Sequence, residues 1–375
     1  MNELKLSSIL RDPVTLRPDT GLLTGYQRLG YINARPGKTS NKNDMEAAHF
    51  AKSYKHESLE DKSYLRKIQG LPDPGLSPDS TVLDIGCGPY DCIGQLPGRH
   101  YYLDDIMDFY VGQLGSRYEG TPVLARTELM PFADQSFDLI YSINMVDHVD
   151  DMVETIYELH RVLRDDGCIH MQSYYNSHPL LETEPGVFDR TFWNEYILPN
   201  FEVESVRTRS VGGPDAPLSY TMDTVTCVLR KRLDALPQRK SRDRYLQPDY
   251  VGPQSAISNV ISSVKSGNLA AAEKFYESVP DNVAYGLHRV MLRILMDIHS
   301  GKFGPANQAI KRLLTVERVR KNPYARIALL ELENRRIALA GKVATTKTPK
   351  AIAPSEAGAS SVVPEQNSPS GASPS

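Results

Sequence analysis

Cysteine is scarce, with four residues (Cys87, Cys92, Cys168, Cys227) in 375. Scattered as they are, they support no disulfide framework, and Cys87 and Cys92 lack the second Cys/His pair of a zinc site. No apolar run approaches the roughly 18 residues that cross a membrane. The opening MNELKLSSILRD has no apolar stretch of a secretory signal. Excess charge is absent too: 43 Lys and Arg face 46 Asp and Glu, a net of −3. Nucleic-acid binding by bulk charge needs clustered cations. These absences lead to the expectation of a reduced, soluble, cytoplasmic protein with no membrane span, no metal and no nucleic-acid partner. The length allows two to three domains, and a 40% hydrophobic content supports one sizeable core with some chain left over.

Three composition zones divide the chain. The last 22 residues, from Pro354, hold 16 Ser, Pro, Ala or Gly and only Val362 and Val363 as large aliphatics. Such a segment cannot offset its ordering entropy, so disorder is expected over 341–375. Over 256–340 apolar residues recur at helical spacing. SGNLAAAEKFYESV (from Ser266) matches SGKFGPANQAIKRL (from Ser300) in pattern, 34 residues apart. That is the tetratricopeptide period, and the alternative is an ordinary helical bundle. Before the helical stretch, the charged, Pro-bearing 233–255 reads as a linker, its basic run at Arg239 to Arg244 as a solvated cluster.

Over 80–232, strand-like and helix-like runs alternate. TVLDIG, HYYLDD, TPVLA, FDLIYSI and CIHMQSY are β-rich, DDMVETIYELHRVLRDDG is helical, and FEVESVRTRSV and TMDTVTCVLRKR follow a helix near Thr191 to Leu198. Alternation of this kind predicts an α/β fold with a doubly wound, mostly parallel, seven-stranded sheet.

Chemistry concentrates in VLDIGCGP, Val82 to Pro89. A buried strand runs into Gly-x-Gly, where positive φ and bare backbone allow a ligand to lie close. The third glycine of a dinucleotide-binding turn is missing. Asp84 at the strand end suits a cationic, phosphate-free nucleoside.

From Ser80 to Gly167 the sequence resembles the class I S-adenosylmethionine-dependent methyltransferases of the type 11 group. The blocks are VLDIGCGP, YYLDD, LMPFADQSFDLIYSINMVDHVDD and ELHRVLRDDGCIHM, in order. The resemblance implies S-adenosylmethionine as cofactor. It makes the Gly86, Cys87 and Gly88 backbone the cradle of the amino-acid end and Asp104, with Asp105 beside it, the ribose ligand. It puts Glu128 or the Thr127 backbone near the adenine. Departures are Arg126 where an acid often stands, RDDG for the usual Pro-Gly-Gly turn, and a helix after Gly88 shortened by Gly94, Pro97 and Gly98.

His148, just past FDLIYSI, is the candidate base or acceptor contact, with Asn144 and Asp147 on the same rim. Tyr174, Tyr175, Asn176 and His178 form a second polar-aromatic cluster expected to face the same cleft and touch substrate. No Asn/Asp-Pro-Pro-Tyr/Phe tetrapeptide follows FDLIYSI, which argues against planar nitrogen acceptors. The expected activity is therefore methyl transfer to a small-molecule, sugar or lipid-like acceptor at oxygen or carbon, with the helical region serving a protein partner or self-association. Two rivals are an inactive cofactor-fold protein acting through its helices, and a protein or RNA methyltransferase. The N-terminal 1–79 carries a segment similar to the zinc hairpin preceding some type 11 methyltransferases. Asp12 stands there in place of the first cysteine, which makes it a metal-free relic. A lid helix is expected over His49 to Ile68, with Tyr54 or Tyr64 against the cofactor.

Overall fold

Every β-rich run named above forms a strand in the computed structural model, which describes residues 8–19, 21–35, 41–53, 74–175, 186–211, 222–235, 241–247 and 250–347. The strands are β1 (Ile32–Asn33), β2 (Thr81–Ile85), β3 (Arg99–Asp104), β4 (Thr121–Leu124), β5 (Phe137–Ile143), β6 (Leu163–Tyr175), β7 (Phe201–Val211) and β8 (Met222–Lys231). The sheet has eight strands in the order β1-β4-β3-β2-β5-β6-β8-β7, not the expected seven. The extra one is β1, a two-residue strand from the N-terminal region whose Ile32 pairs in parallel with Val123. Two residues carry no periodicity, so only the open edge of β4 reveals it. The first six strands in that order are parallel, while β8 runs antiparallel to β6 and β7. Chain order reverses direction between β2 and β5, which opens a crevice at their carboxyl ends.

Two helices precede the sheet's centre, α1 (Gly21–Leu29) and α2 (Asn41–Ser53). The lid helix expected from His49 therefore starts earlier and overlaps α2 only to Ser53; Tyr54 and Tyr64 lie outside the described residues. Helix α3 (Met152–Val162) is capped by the Asp151 carboxylate, which accepts from the Val153 and Glu154 amides. It ends before Leu163, and the expected helical RDDG is already strand. Gly167 is needed there for space rather than for a turn. A Cβ would stand 2.9 Å from the Asp138 carbonyl and 3.0 Å from that of Phe137.

Six helices follow: α4 (Pro253–Lys265), α5 (Leu269–Glu277), α6 (Gly286–His299), α7 (Phe303–Leu313), α8 (Glu317–Lys321) and α9 (Pro323–Lys347). The sequence repeat has a structural counterpart. Gly267 and Gly301 both take left-handed φ, 78° and 77°, in the turns before α5 and α7. Ala272 and Ala306 are both buried at the aligned positions. Helix α9 runs past Gly341, the expected start of disorder, to Lys347; 348–375 lie outside the described residues.

Strand alternation sorts side chains onto two faces. Leu83, Ile85, Leu103, Val123, Ile140, Ile169 and Met171 share one core with α3 and with Ile257, Ile261, Leu292 and Leu295 of the helical region. Val82, Tyr102, Leu124, Leu139, Tyr141 and Cys168 belong to the other core, with Cys87, Ile93 and Met107. The helical region is thus continuous with the main core. Its approach is also polar. The basic run expected to be solvated in fact pairs with α3: Arg242 with Glu158, and Arg244 with Asp151 (3.6 Å) and Glu154 (3.5 Å). Buried carboxylates on α3 need cations; Glu158 takes Arg161 (2.8 Å) of its own helix as well as Arg242.

At the N-terminus, Leu10 bridges Phe132. Asp12, in place of a zinc-ligating cysteine, instead fastens a tight turn by accepting the Val14 (3.1 Å) and Thr15 (2.6 Å) amides.

Candidate functional site

Five-residue β2 is buried throughout and apolar except at Thr81 and Asp84, as suits a central parallel strand. It ends in Gly86, at φ 61°, whose amide donates to the Leu103 carbonyl at 2.8 Å. A Cβ on Gly86 would stand 2.2 Å from Met145 Cγ, so the turn is packed against the loop after β5. Gly88, at φ 62°, differs: a Cβ there would meet nothing within 4 Å. Bare backbone with free space above it is what a close-lying ligand requires.

Asp84 and Asp104 sit on neighbouring strands and on the same face, since Asp84 pairs in register with Tyr102. Both are buried, at 3% and 6% exposure. Asp104 accepts the Ile106 amide (3.0 Å) and the Gly88 amide (3.3 Å). The Asp84 carboxylate accepts no hydrogen bond among the described residues. Burial, then Asp91, pushes the Asp84 carboxyl well above its ordinary value. Burial, then Asp105 and Glu46, raises Asp104 likewise, against the pull of its two amide donors. A pocket of this kind favours a cation, which would restore the charged form of both acids. Burial, then Asp104 and Asp84, raises the Cys87 thiol well above its ordinary value.

Asp105 points elsewhere. Its carboxylate accepts from Asn43 of α2, and its carbonyl accepts from Arg35. The side chains of Thr127 and Glu128 are tied to α3 and its cap. Thr127 Oγ1 lies 3.1 Å from Thr155 Oγ1 on α3, and Glu128 Oε1 accepts the Asp151 amide at 2.6 Å. The Glu128 carboxyl is pushed up to about 7 by burial and Asp150, with Arg126 opposing. Arg126 pairs with Asp150 at 3.1 Å. Asp150 in turn accepts the Ser255 amide at the start of α4 (3.0 Å). The arginine that departs from the resembled pattern thus serves the contact with the helical region.

Asn144 ends β5 in left-handed conformation (φ 55°), its amide on the Gln172 carbonyl at 2.7 Å. Its Nδ2 stands 3.4 Å from His148 Nε2. The imidazole is 22% exposed and 4.0 Å from Oδ2 of the buried Asp147, whose Oδ1 accepts from Ser173 Oγ at 2.8 Å. Asn144, Asp147 and His148 therefore lie together after β5, with Asp147 buried beneath the other two. Tyr174 and Tyr175 do not face a single cleft. Adjacent strand residues alternate, and Tyr175 packs on the main core beside Phe188. Asn176 and His178 lie outside the described residues.

Sequence reasoning missed Asp91, Tyr118 and Met145. Met145 sits inside a recognised block but acts through packing. Tyr118 lies 30 residues from the Gly88 carbonyl to which its hydroxyl donates, and no local pattern links the two.

The glycine turn and the paired carboxylates lie within the segment that resembles class I, S-adenosylmethionine-dependent methyltransferases. Residues 83–171 match a family described as "Methyltransferase domain". A sterol 24-C-methyltransferase of Gibberella zeae is 31% identical over 103 residues, covering 25% of this chain and 27% of that protein. The cycloartenol-C-24-methyltransferase of Arabidopsis thaliana is 29% identical over 133 residues, 33% of this chain and 40% of the relative. The chain thus spans well under half the length of these curated relatives. Among solved structures, the N-methyltransferase NodS from Bradyrhizobium japonicum, in complex with S-adenosyl-l-homocysteine, has a TM-score of 0.40 at 13% identity, covering 51% of this chain and 99% of that one. A TehB-like methyltransferase from Corynebacterium glutamicum has a TM-score of 0.35 at 16% identity, covering 50% and 100%.

Proposed function

We propose that the chain transfers a methyl group from S-adenosylmethionine to a small, lipid-like acceptor at carbon or oxygen. The observation that carries this reading is the buried Asp84 carboxylate, which accepts no hydrogen bond among the described residues, beside the open backbone of Gly88. These residues fit the cofactor. Asp84 would hold its ammonium group, the 86–88 backbone would lie along its amino-acid end, and Asp104 would accept from the ribose hydroxyls. When bound, the cofactor supplies a methyl group on a cationic sulfur, which needs alignment more than activation. Alignment by such a cradle contributes up to about 7–11 kcal/mol.

At the rim, His148 would accept the proton of a hydroxyl acceptor, a contribution of about 10²–10⁴-fold. The lipid-like class is supported by the two sterol-named relatives, and carbon as acceptor atom by the same names. The helical region, repeated at 34 residues, would serve a protein partner or a second copy of the chain.

Calorimetry of the full chain with S-adenosylhomocysteine, followed by labelled methyl transfer to sterols, sugars and phenols, tests the reading. Binding plus label in a lipid-extractable product supports it. No binding overturns the cofactor assignment; label confined to protein or RNA overturns the acceptor class.

A further inference from the structure

The glycine turn is held in an unusual way. After Gly88 the chain forms no helix, and residues 89–98 run as successive turns. Pro89, Gly94, Pro97 and Gly98 account for this: proline removes amide donors and glycine disfavours helix. Gly98 takes φ 119°, and a Cβ there would stand 2.6 Å from the Ser80 carbonyl. A ligand-binding backbone with no helix behind it needs another support.

That support comes from two consecutive residues just before β4. The Tyr118 hydroxyl donates to the Gly88 carbonyl at 2.6 Å. The Glu119 amide donates to Asp91 Oδ2 at 2.7 Å. Asp91 Oδ1 receives the Gly94 amide (2.7 Å) and the Tyr102 hydroxyl (2.6 Å). The Tyr102 and Tyr118 rings pack at 4.8 Å. One short segment thus grips the turn at Gly88 and, three residues on, at Asp91.

Resting on the S-adenosylmethionine reading, we propose that Tyr118, with Asp91, is a positioning residue that orients the Gly88 peptide toward the cofactor's amino-acid end. The carbonyl that Tyr118 holds belongs to the same glycine whose amide is tied to Asp104. Both sides of that residue are therefore fixed, and its open face is the one left for ligand. The Tyr118 hydroxyl is held by the turn, beside Tyr102, the Cys87 thiol and Ser116, and Asp104 acts on it only through charge.

The test is Tyr118→Phe in the full chain, which keeps the ring and removes only the hydroxyl. Affinities are measured by calorimetry for S-adenosylhomocysteine and for 5′-methylthioadenosine, which lacks the amino-acid end. The expected result is about tenfold weaker S-adenosylhomocysteine binding, the effect of one lost hydrogen bond, with methylthioadenosine affinity unchanged. Tyr102→Phe, which removes one donor to Asp91, should give a smaller change in the same direction. Wild-type affinity for both ligands in Tyr118→Phe overturns the proposal, and an equal loss for both assigns Tyr118 a structural role only. Failure of the unaltered chain to bind either ligand overturns the cofactor reading instead, so the two failures are distinct.

Discussion

Asp84 and Asp104 lie on adjacent strands of one sheet face, yet their carboxylates differ in what they hold. Asp104 accepts two backbone amides, from Gly88 and Ile106, whereas Asp84 accepts none among the described residues. One acid is part of the scaffold as well as the pocket; the other is available for ligand alone.

The two acids should therefore respond differently to neutralisation. Asp84→Asn is expected to weaken S-adenosylhomocysteine binding about 10- to 100-fold, the worth of a charge-assisted hydrogen bond, with unfolding by urea nearly unchanged. Asp104→Asn is expected to lose binding and also about 1–2 kcal/mol of stability through its two amide donors. Calorimetry and urea denaturation on both variants check the contrast.

Cofactor binding should release protons. Both carboxyls are raised by burial, so each tends toward its neutral form in the free protein. A cation favours the ionised form. Affinity for S-adenosylhomocysteine should rise with pH until both acids ionise without ligand, and flatten above that. Calorimetry in buffers of different ionisation enthalpy measures the protons released; uptake of protons would contradict the assignment.

Glycine substitutions should separate packing from ligand space. Gly86→Ala meets Met145 and a left-handed backbone together, and is expected to cost several kcal/mol of stability, on the order of an overpacked core with strain added. Gly88→Ala meets open space, so its cost is about 1–2 kcal/mol from conformation alone. Its methyl group occupies the volume assigned to the cofactor, and binding should fall about tenfold or more. Thermal unfolding and ligand calorimetry report the two effects.

Glu128 should make stability pH-dependent. Its carboxyl is raised from about 4.5 to about 7, so the folded state holds a proton that the unfolded state has lost over that range. By linkage, this contribution is full below about pH 4.5 and disappears as pH rises through about 7. His170 works in the opposite sense: lowered to about 4 by burial, it adds stability that is present above its ordinary value of 6.5 and is lost as pH falls toward 4. Glu128→Gln should flatten the fall in stability between pH 5 and 7, measured by urea midpoints.

The helical region should be inseparable from the sheet. The Met152 amide at the start of α3 donates to the Tyr285 hydroxyl at 3.0 Å, and that hydroxyl lies 3.5 Å from Asp151 Oδ1. Tyr285→Phe leaves a buried amide without its acceptor, a loss of about 1–3 kcal/mol. A chain ending before Pro253 would remove Ile257, Ile261, Leu292 and Leu295 from the shared core and is expected to aggregate. Monodisperse, ligand-binding behaviour of that truncation would contradict the continuity.

Much of this was legible along the chain because it is local. Strand periodicity, the Gly-Cys-Gly turn and the helix from Met152 depend on neighbours a few residues apart, and so left a pattern. The Thr127 and Glu128 side chains are engaged by α3 and its cap, a partnership that only packing reveals. Tyr174 and Tyr175 were assigned one cleft although the two-residue period of a strand sends them apart. Arg242 and Arg244 looked solvated because their carboxylate partners lie some 80 to 90 residues earlier in the chain.

By itself, then, the amino-acid order decided the parallel sheet, the acid at the end of each of two strands and the glycine turn between them, since backbone preference and periodic burial act at short range. Folding in three dimensions decided which acid is free, what stands behind a turn that lacks its helix, and that the carboxyl-terminal helices share the sheet's core. Those outcomes rest on hydrogen bonds and apolar contacts between distant segments, whose partners are chosen only when the chain closes on itself.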